Sequence, residues 1–423
     1  MINRKHRPDI AIALGLAVLF FFLYAHFGLR LAQGIYFDYL NLAFDFDPPY
    51  FIDFLVGTLP SGVNYKHPLS VLFRPFASLF LVFGFEPKAA AALVMALFGG
   101  LTVALVYGFG WLASFGRPQA FAAALFYGAS STPIFTSIIV ESYGWASFSI
   151  VLVWCVFMLG QRAKAAPVRA PLLAAVLVAG VTITNIMHSL VAELFSQWRT
   201  GGLKNALMRT ALFGCYAGLA LLVALAFLQP QELWNVIARP VQTAKEIYWL
   251  RTQGAATGLS ELLLTFFGYS FFSPAFASVE IGPDIFMRDF RTFTYAPIES
   301  LLVIAWWIFA AVGAVMGFRH PQFRRVAMPL ALIVVLNLLF HLDYQYRGSL
   351  YLYAAHLHFP IFALGMGAAP WVASQNLRIR VGYVAVLLTL AVAALVINLH
   401  RASDFVVMFD TLPFPADAPA IKR

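Results

Sequence analysis

Four aspartates lie within sixteen positions of a chain that is otherwise poor in charge. The four are Asp38, Asp45, Asp47 and Asp53. They follow the first long apolar segment, and only 11% of the 423 residues are charged. Carboxylates that lie close together can take a proton from a hydroxyl group or coordinate a divalent cation such as Mg or Mn. The first three are therefore candidates for a reactive centre, whereas Asp53 is more typical of a structural or surface residue.

The spacing of these acids predicts that they lie on one face of a short helix. A helix over residues 36–47, ended by the two prolines that follow, places Asp38, Asn41 and Asp45 on one side. Asp45 and Asp47 form an Asp-Phe-Asp sequence that is a candidate for binding the divalent cation. The alternative is a short outer loop whose acids are merely solvated. The apolar residues between the acids favour a site over simple solvation.

A cation and a histidine stand immediately before the next apolar helix. Lys66 and His67 precede Pro68, where a second helix is predicted to begin. A cation beside a helix N-terminus is typical of an anion-binding site, because unpaired backbone N–H groups and the positive charge act together. The alternative is a lysine that reaches to the membrane surface beside an ordinary polar histidine. Both residues are candidates for substrate binding.

Two further candidates interrupt apolar segments farther along the chain. Glu141 lies between two apolar runs, and an ionisable group at the mouth of a membrane bundle is a functional candidate. The alternative is an acid that only caps a helix at the surface. His188 and Glu193 interrupt another apolar run, where they either make a buried polar contact or form the wall of a cavity.

A late outer loop adds aromatic and basic residues. Tyr346 and Arg347 lie between two apolar runs, and His356 follows in the next run. Arg347 is the natural outer cation for a lipid phosphate, because a guanidinium matches the geometry of phosphate oxygens. A belt of interfacial tyrosines accounts for the tyrosines better than for Arg347 or His356. His356 and His358 are two positions apart, so they point to different helix faces and make a poor metal site.

The elements that must position these residues are membrane helices. The chain is 61% hydrophobic with a mean hydropathy of +0.80, whereas a soluble protein needs about 25% charged residues to cover its surface. Its apolar runs are continuous rather than alternating, which predicts an all-α polytopic protein and argues against a β-barrel. The net charge of +9 comes from short loops, which is typical of topology control rather than nucleic-acid binding. The two cysteines lie in apolar runs and indicate neither a disulfide framework nor a cysteine metal site.

The basic loops predict eleven spans in a single polytopic domain, residues 1–423. The N-terminus is placed in the cytoplasm and the C-terminus in the periplasm, because cytoplasmic loops carry an excess of Lys and Arg. This assignment requires the apolar run at 68–85 to lie along the outer surface. The protein is then expected in the inner membrane. Its predicted outer regions are 30–87, which contains juxtamembrane helices, and 229–298, which contains partial helices at the interface. The predicted cytoplasmic loops are 114–118, 161–169, 199–209, 319–325 and 374–380.

The order of these segments resembles that of the GT-C glycosyltransferases. The resemblance covers residues 1–230 and consists of an acidic first outer loop, a Lys-His-Pro-Leu surface helix at 66–69, and an outer acid after the third span. It is strongest to bacterial members related to protein O-mannosyltransferases and aminoarabinose transferases. In that family the catalytic or metal-binding acid lies early in the first outer loop, which implies Asp38. An Asp-x-Asp variant of the same loop implies Asp45 and Asp47.

The resemblance implies a sugar transfer at the outer face of the membrane. The donor would be a polyprenyl-phosphate sugar, and the acceptor a glycan, lipid or protein. Asp38, with Asp45 or Asp47, would act as base or metal ligand, and Lys66 and Arg347 would stabilise the departing lipid phosphate. The alternative is a secondary transporter or lipid flippase, which is expected to carry charges deep within spans and broken, paired repeats. A catalytically inactive subunit with the same fold is a third alternative.

Overall fold

The computed structural model describes residues 7–57, 67, 69–162, 169–230, 233–234, 238, 258–282, 285–343 and 349–411. Most of this structure is helical, because backbone polar groups inside a membrane must be hydrogen-bonded within their own segment. The α-helices are α1 (Arg7–Gln33), α2 (Pro48–Val56), α3 (Arg74–Val82), α4 (Pro87–Leu112), α5 (Arg117–Ala129), α6 (Ser131–Ile138), α7 (Ser142–Arg162), α8 (Arg169–Val181), α9 (Ile186–Leu228), α10 (Leu259–Leu264), α11 (Pro297–Arg319), α12 (Arg324–Asp343), α13 (Ala354–Gly365), α14 (Ala369–Ala373) and α15 (Leu377–Thr411). The strands are β1 (Phe276–Gly282) and β2 (Ile285–Phe290).

Within the described ranges, eight helical segments are long and apolar enough to cross a membrane, which takes about 20 residues. They are Arg7–Gln33, Pro87–Leu112, Ser142–Arg162, Gly201–Leu228, Pro297–Arg319, Arg324–Leu342, Tyr351–Ala373 and Leu377–Asp410. The protein is therefore an all-α polytopic membrane protein, as the sequence predicts. The count of eleven spans and the orientation of the termini stay predictions.

Two of these segments form the centre of the bundle. In Tyr351–Ala373 94% of the most apolar window is buried, and in Pro87–Leu112 72%, whereas in Gly201–Leu228 only 11% is buried. The outermost helices thus present their apolar side chains to lipid. Glycine allows α4 to approach α1 closely, since a Cβ atom at Gly100 would lie 2.4 Å from the carbonyl oxygen of Ala17.

The apolar run at 119–138 is broken in its middle rather than forming one straight span. α5 and α6 meet at Ser130, whose backbone is extended. The side-chain Nδ2 of Asn398, on α15, donates to the carbonyl oxygens of Ala129 and Phe271, both at 2.8 Å. These hydrogen bonds supply donors to carbonyl oxygens at the break, because a buried backbone carbonyl needs a hydrogen-bond partner.

Arginines from separate loops meet at one end of the bundle, called here the arginine end. Arg117, at the start of α5, donates two hydrogen bonds of 2.8 and 3.0 Å to the buried Asp9 of α1. Arg162, at the end of α7, donates to the carbonyl oxygen of Trp111 at 2.9 Å. The start of α1, the loop between α4 and α5 and the end of α7 therefore lie on the same side. These are segments that the charge pattern assigns together to the cytoplasm.

The end of the bundle opposite the arginine end carries region 30–87, which the sequence predicts to be outer. This region contains a short surface helix, α3. α3 is nine residues long, about 14 Å, which is too short to cross a bilayer. Its Leu79 and Val82 are 52% and 82% exposed, as expected for a helix that lies against lipid. The described helical structure begins at Ser70, and Pro68, the predicted start, lies outside the described residues. These features agree with juxtamembrane helices in this region.

The helix predicted over residues 36–47 is wrong. Only Tyr36–Asp38 forms a single 3-10 turn. The backbone then takes left-handed values at Asn41, Phe44 and Asp45, with φ of 59°, 55° and 62°. Asn and Asp adopt this conformation more readily than most residues. The spacing of the acids therefore does not place them on one helix face.

A β-hairpin from the second outer region holds this loop in place. β1 and β2 pair antiparallel within the region 229–298, where the sequence predicts only partial helices; α10 is one such helix. The backbone N–H of Arg288 on β2 donates to the carbonyl of Leu42 at 2.9 Å, and that of Phe44 donates to the carbonyl of Arg288 at 3.0 Å. These hydrogen bonds, formed between segments far apart in the chain, replace those of the predicted helix.

Candidate active site

Two acids from distant segments meet at the end of the bundle opposite the arginine end. Asp47 directly precedes α2, and Glu141 directly precedes α7. The backbone N–H of Asp47 donates to Glu141 Oε2 at 3.0 Å, and the backbone N–H of Ser142 donates to Oε1 at 2.8 Å. Glu141 thus accepts a hydrogen bond from the start of α7, as expected of an acid that caps a helix. It also links the first outer loop to α7.

The Glu141 carboxyl is buried, with only 5% of the residue exposed. Burial, followed by the nearby negative charge of Asp47, raises the pKa of Glu141 to about 8. The hydrogen bonds from Ser142 and Asp47 act in the opposite direction, because they stabilise the charged form. Near neutral pH the Glu141 carboxyl is therefore protonated. A carboxyl that is protonated near neutral pH and lies beside a second acid is an arrangement that general acid–base chemistry uses.

A buried tyrosine lies beside this pair of acids. Tyr36 is completely buried. Burial raises its pKa well above the ordinary value, and the negative charges of Glu141 and Asp47 raise it further. Its hydroxyl has no hydrogen-bond partner among the described residues. A buried hydroxyl without a partner is unusual, which makes Tyr36 a candidate site residue that the sequence reasoning did not identify.

Asp38 is not part of the pair formed by Asp47 and Glu141. Its carboxylate forms a salt bridge with Lys88, in the first turn of α4, with Nζ to Oδ1 and Oδ2 distances of 2.6 and 2.7 Å. The Asp38 side chain is 47% exposed. The ion pair ties the 3-10 turn to α4. A catalytic role for Asp38 stays a prediction.

The other two predicted residues of the loop are buried under the hairpin. Asn41 is 9% and Asp45 6% exposed, and the backbone N–H of Asp45 points at the Met287 sulfur on β2. Asp38, by contrast, faces solvent, so the loop does not present the three residues together. In the described part of the chain, no three His, Cys, Asp or Glu side chains lie close enough together to hold a metal ion. The predicted cation site of Asp45 and Asp47 stays a prediction.

Histidines and aromatic rings line the region next to Glu141. Tyr143, two residues after Glu141, stacks on His356 of α13 at 5.4 Å between ring centroids and contacts Phe46 at 5.8 Å. The sequence reasoning missed Tyr143, although its position beside Glu141 is a signal. The imidazoles that interact electrostatically with His356 are His341, His188 and His67. These three imidazoles thus lie within electrostatic range of His356, and we call the four residues the histidine cluster.

The members of the cluster are fixed by different elements. His67 Nδ1 lies 2.8 Å from the carbonyl oxygen of Val181, at the end of α8. His188 Nδ1 accepts a hydrogen bond from Trp154 of α7 at 3.2 Å. The Nε2 atom of His356 is buried and has no partner within the described ranges. His67, His188 and His356 were all predicted as binding residues from the sequence, and the structure brings them together. Glu193 accepts a hydrogen bond from Gln197, within α9.

Three predicted residues cannot be placed in this geometry. Lys66, Tyr346 and Arg347 lie outside the described residues. Their assignment to substrate binding stays a prediction.

A further acid, Asp289, lies on the hairpin and was not identified from the sequence. It is 8% exposed, and its carboxylate accepts a hydrogen bond from the backbone N–H of Phe290 at 2.7 Å. Burial raises the pKa of Asp289 to about 7. The hairpin that fixes the first outer loop thus contributes its own titratable group.

No family model matches this chain, and no curated protein sequence is significantly similar to it. A similar solved structure is an Archaeoglobus fulgidus oligosaccharyltransferase tethered by a disulfide bond to an acceptor peptide containing the NVT sequon. The TM-score is 0.47 at 15% sequence identity, and the match covers 95% of this chain and 55% of the archaeal chain. The protein thus spans about half the length of that enzyme. A similarity of this size supports neither an activity nor a substrate.

Proposed function

We propose that this protein is a membrane glycosyltransferase that moves a sugar from a polyprenyl-phosphate donor to an acceptor at the outer face of the membrane. The observation that carries the proposal is the acid pair of half-buried Asp47 and buried Glu141, linked by a 3.0 Å hydrogen bond from the Asp47 backbone N–H to the Glu141 carboxyl. The acceptor is a glycan, lipid or protein. The order of segments that resembles the GT-C enzymes supports the same reaction class.

The two acids have different tasks in the proposed reaction. With Glu141 protonated near neutral pH, the pair carries its negative charge on Asp47. Asp47 takes the proton of the acceptor group, whose freed electron pair forms the bond to the anomeric carbon. The bond between that carbon and the phosphate oxygen breaks, and the lipid phosphate leaves with its electrons. A general base of this kind contributes about 10²–10⁴-fold to a rate.

The surrounding groups suit a sugar phosphate. The protonated Glu141 and the Tyr36 hydroxyl can donate hydrogen bonds to sugar or phosphate oxygens, and the neighbouring aromatic rings can pack against a sugar face. In the proposal, the sequence-predicted cations Lys66 and Arg347 offset the charge that develops on the departing phosphate. Asp38, with Lys88, holds the loop. The site lies at the end of the bundle that the charge pattern assigns to the periplasm.

Transfer of a radiolabelled sugar tests the proposal. Purified protein in nanodiscs is incubated with a labelled polyprenyl-phosphate sugar and a membrane extract that supplies acceptors. Wild type is expected to form labelled product, and Asp47→Asn to be slower by about 10²-fold or more. Asp53→Asn, a matched change in the same region, is expected to retain activity. Transbilayer movement of the lipid without any transfer would instead support the flippase alternative and overturn the proposal.

A further inference from the structure

The strand β2 connects the first outer loop to the helix bundle through neighbouring residues. The backbone of Arg288 forms two hydrogen bonds, of 2.9 and 3.0 Å, with the backbone of the loop. Phe290 packs against Phe44 of the loop and Tyr351 of the bundle, with ring centroids 4.9 and 4.5 Å apart. Asp289 lies between these two residues of β2. A change at its side chain therefore affects the segment that holds the loop.

The carboxyl of Asp289 is buried with few hydrogen-bond donors around it. The residue is 8% exposed, and its carboxylate accepts a hydrogen bond from the backbone N–H of Phe290 at 2.7 Å. The Ser349 hydroxyl also favours its charged form. An ionised carboxylate has about four acceptor positions, so these two groups replace only part of the hydration that the carboxylate has in water.

The ionisable groups near Asp289 supply no compensating positive charge. Those on other elements are Glu261 of α10, Tyr269 directly after α10, Tyr351 before α13, and Asp45 of the first outer loop, whose backbone lies against β2. Of the two arginines nearby in sequence, Arg288 donates to the Ser278 hydroxyl and Arg291 is exposed. Among the described residues, no basic side chain forms a salt bridge with Asp289. A negative charge at this position is therefore costly in the docked hairpin.

Opening of the hairpin is therefore coupled to the loss of a proton. Burial is the main cause that raises the pKa of Asp289 from 3.8 to about 7. In an opened hairpin the carboxyl is in water and ionises near its ordinary pKa. Between these pH values the docked hairpin holds a proton that the opened hairpin has lost. Docking is thus strongest below about pH 4 and weakens as the pH rises to about 7.

We propose that Asp289 makes the docking of the hairpin, and with it the position of the first outer loop, dependent on the pH at that end of the bundle. Acidic surroundings keep the carboxyl neutral and the hairpin docked. Ionisation of the carboxyl loosens the hairpin as the pH approaches neutrality. The loop carries Asp47, so this device regulates the acid pair and rests on the function proposed above.

Amide hydrogen exchange measures the docking without any use of the transfer reaction. Wild type in nanodiscs is exchanged at several pH values, and peptides covering 39–47 and 285–291 are followed by mass spectrometry. Rates are corrected for the intrinsic pH dependence of exchange. The N–H groups of Phe44 and Arg288 report on docking, because each donates a hydrogen bond between loop and strand. Their equilibrium constant for opening is expected to rise by up to about 50-fold between about pH 5 and pH 7, the ratio that pKa values of 3.8 and about 7 give.

Three variants separate Asp289 from the other acids. Asp289→Asn cannot ionise at this position and is expected to lack the rise in opening. Ser349→Ala removes a group that favours the charged form, so it is expected to extend the rise above pH 7 in a protein that still carries the carboxyl. Asp53→Asn, the same change at a half-buried acid of α2, is the matched control and should follow wild type.

Glu141 also changes its ionisation in this pH range, so its contribution is removed by comparison. The exchange of wild type and Asp289→Asn is measured again with Glu141→Gln added to both proteins. The difference between the two is expected to stay the same, because the effect of Glu141 cancels.

Equal opening at pH 5 and pH 7 in wild type would overturn the pH dependence of docking. The same rise in Asp289→Asn as in wild type, or the loss of the rise in Glu141→Gln alone, would assign the effect to another group. These results are separate from the transfer assay. A hairpin that ignores pH would leave the transferase proposal intact, and a protein without transfer would leave the exchange result intact.

Discussion

Replacing Glu141 by glutamine tests whether this buried carboxyl is protonated in the folded protein. Its pKa is raised from 4.5 to about 8, first by burial and then by the charge of Asp47. Between these two pH values the unfolded chain has the carboxyl ionised, while the folded protein keeps it protonated. Folding therefore takes up one proton, and stability falls as the pH rises from 4.5 to 8. The slope is about 1.4 kcal/mol per pH unit, which amounts to about 5 kcal/mol as an upper figure over this interval.

The glutamine variant has no proton to lose at this position, so it lacks this component of the slope. At low pH it is expected to be less stable than wild type by about 1–3 kcal/mol, because its amide nitrogen would face one of the two backbone N–H donors. Near pH 8 the order is expected to reverse, since wild type has by then lost the contribution of Glu141. Asp289, whose pKa is raised to about 7, adds a similar slope to both proteins and cancels in their difference.

The measurement is the free energy of unfolding in mild detergent, obtained by denaturant titration with tryptophan fluorescence at several pH values. Wild type and Glu141→Gln are compared at each pH. A double variant that also carries Asp289→Asn is expected to lose the slope at lower pH as well. Parallel curves for wild type and Glu141→Gln between about pH 5 and pH 8 would refute the protonated carboxyl.

Three other changes have distinct expected outcomes. Tyr36→Phe should raise the free energy of unfolding by about 1 kcal/mol, because it removes a buried hydroxyl without a partner, and should slow transfer; lower stability with unchanged transfer would contradict its place beside the acids. Asn398→Ala should lower stability by about 3 kcal/mol or more in denaturant titration, since the buried Ala129 carbonyl loses its donor and the buried Ser273 N–H loses its acceptor. Asn337→Ala removes an amide that donates to the carbonyl of Ile333 in its own helix. It should cost less, and equal losses in the two variants would count against the role of Asn398 at the break. Arg288→Pro removes the N–H that donates to Leu42 and should reduce transfer in a protein that remains monodisperse on gel filtration; unchanged transfer would show that the hairpin does not support the site.

Continuous apolar composition was enough to predict the helical membrane architecture. Segments such as Pro87–Leu112 and Pro297–Arg319 are long and uniformly apolar, and no soluble arrangement could bury them. The clustering of arginines likewise predicted which loops share one end of the bundle. Both patterns are local, because they need only the residues of one segment and its flanks.

The details of the site depend on contacts that sequence spacing does not reveal. The spacing of Asp38 and Asp45 suggested one helix face. In the structure, hydrogen bonds with the backbone of Arg288 instead hold the loop in a conformation with left-handed residues. The partners Asp47 and Glu141 are 94 positions apart, and each was a separate candidate in the sequence. Burial then decides the protonation of Glu141, because burial disfavours the charged form of a carboxyl.

The central claim is that the reactive acid is Asp47, which pairs with the buried Glu141, and not Asp38, which forms the exposed salt bridge. The most direct measurement is the initial rate of sugar transfer from a labelled polyprenyl-phosphate donor by Asp47→Asn and by Asp38→Asn, prepared and assayed side by side. We predict that Asp47→Asn loses about 10²-fold or more, the effect of removing a general base, while Asp38→Asn keeps most of its activity. A folded Asp47→Asn protein that transfers as fast as wild type, beside an inactive Asp38→Asn, would contradict the assignment.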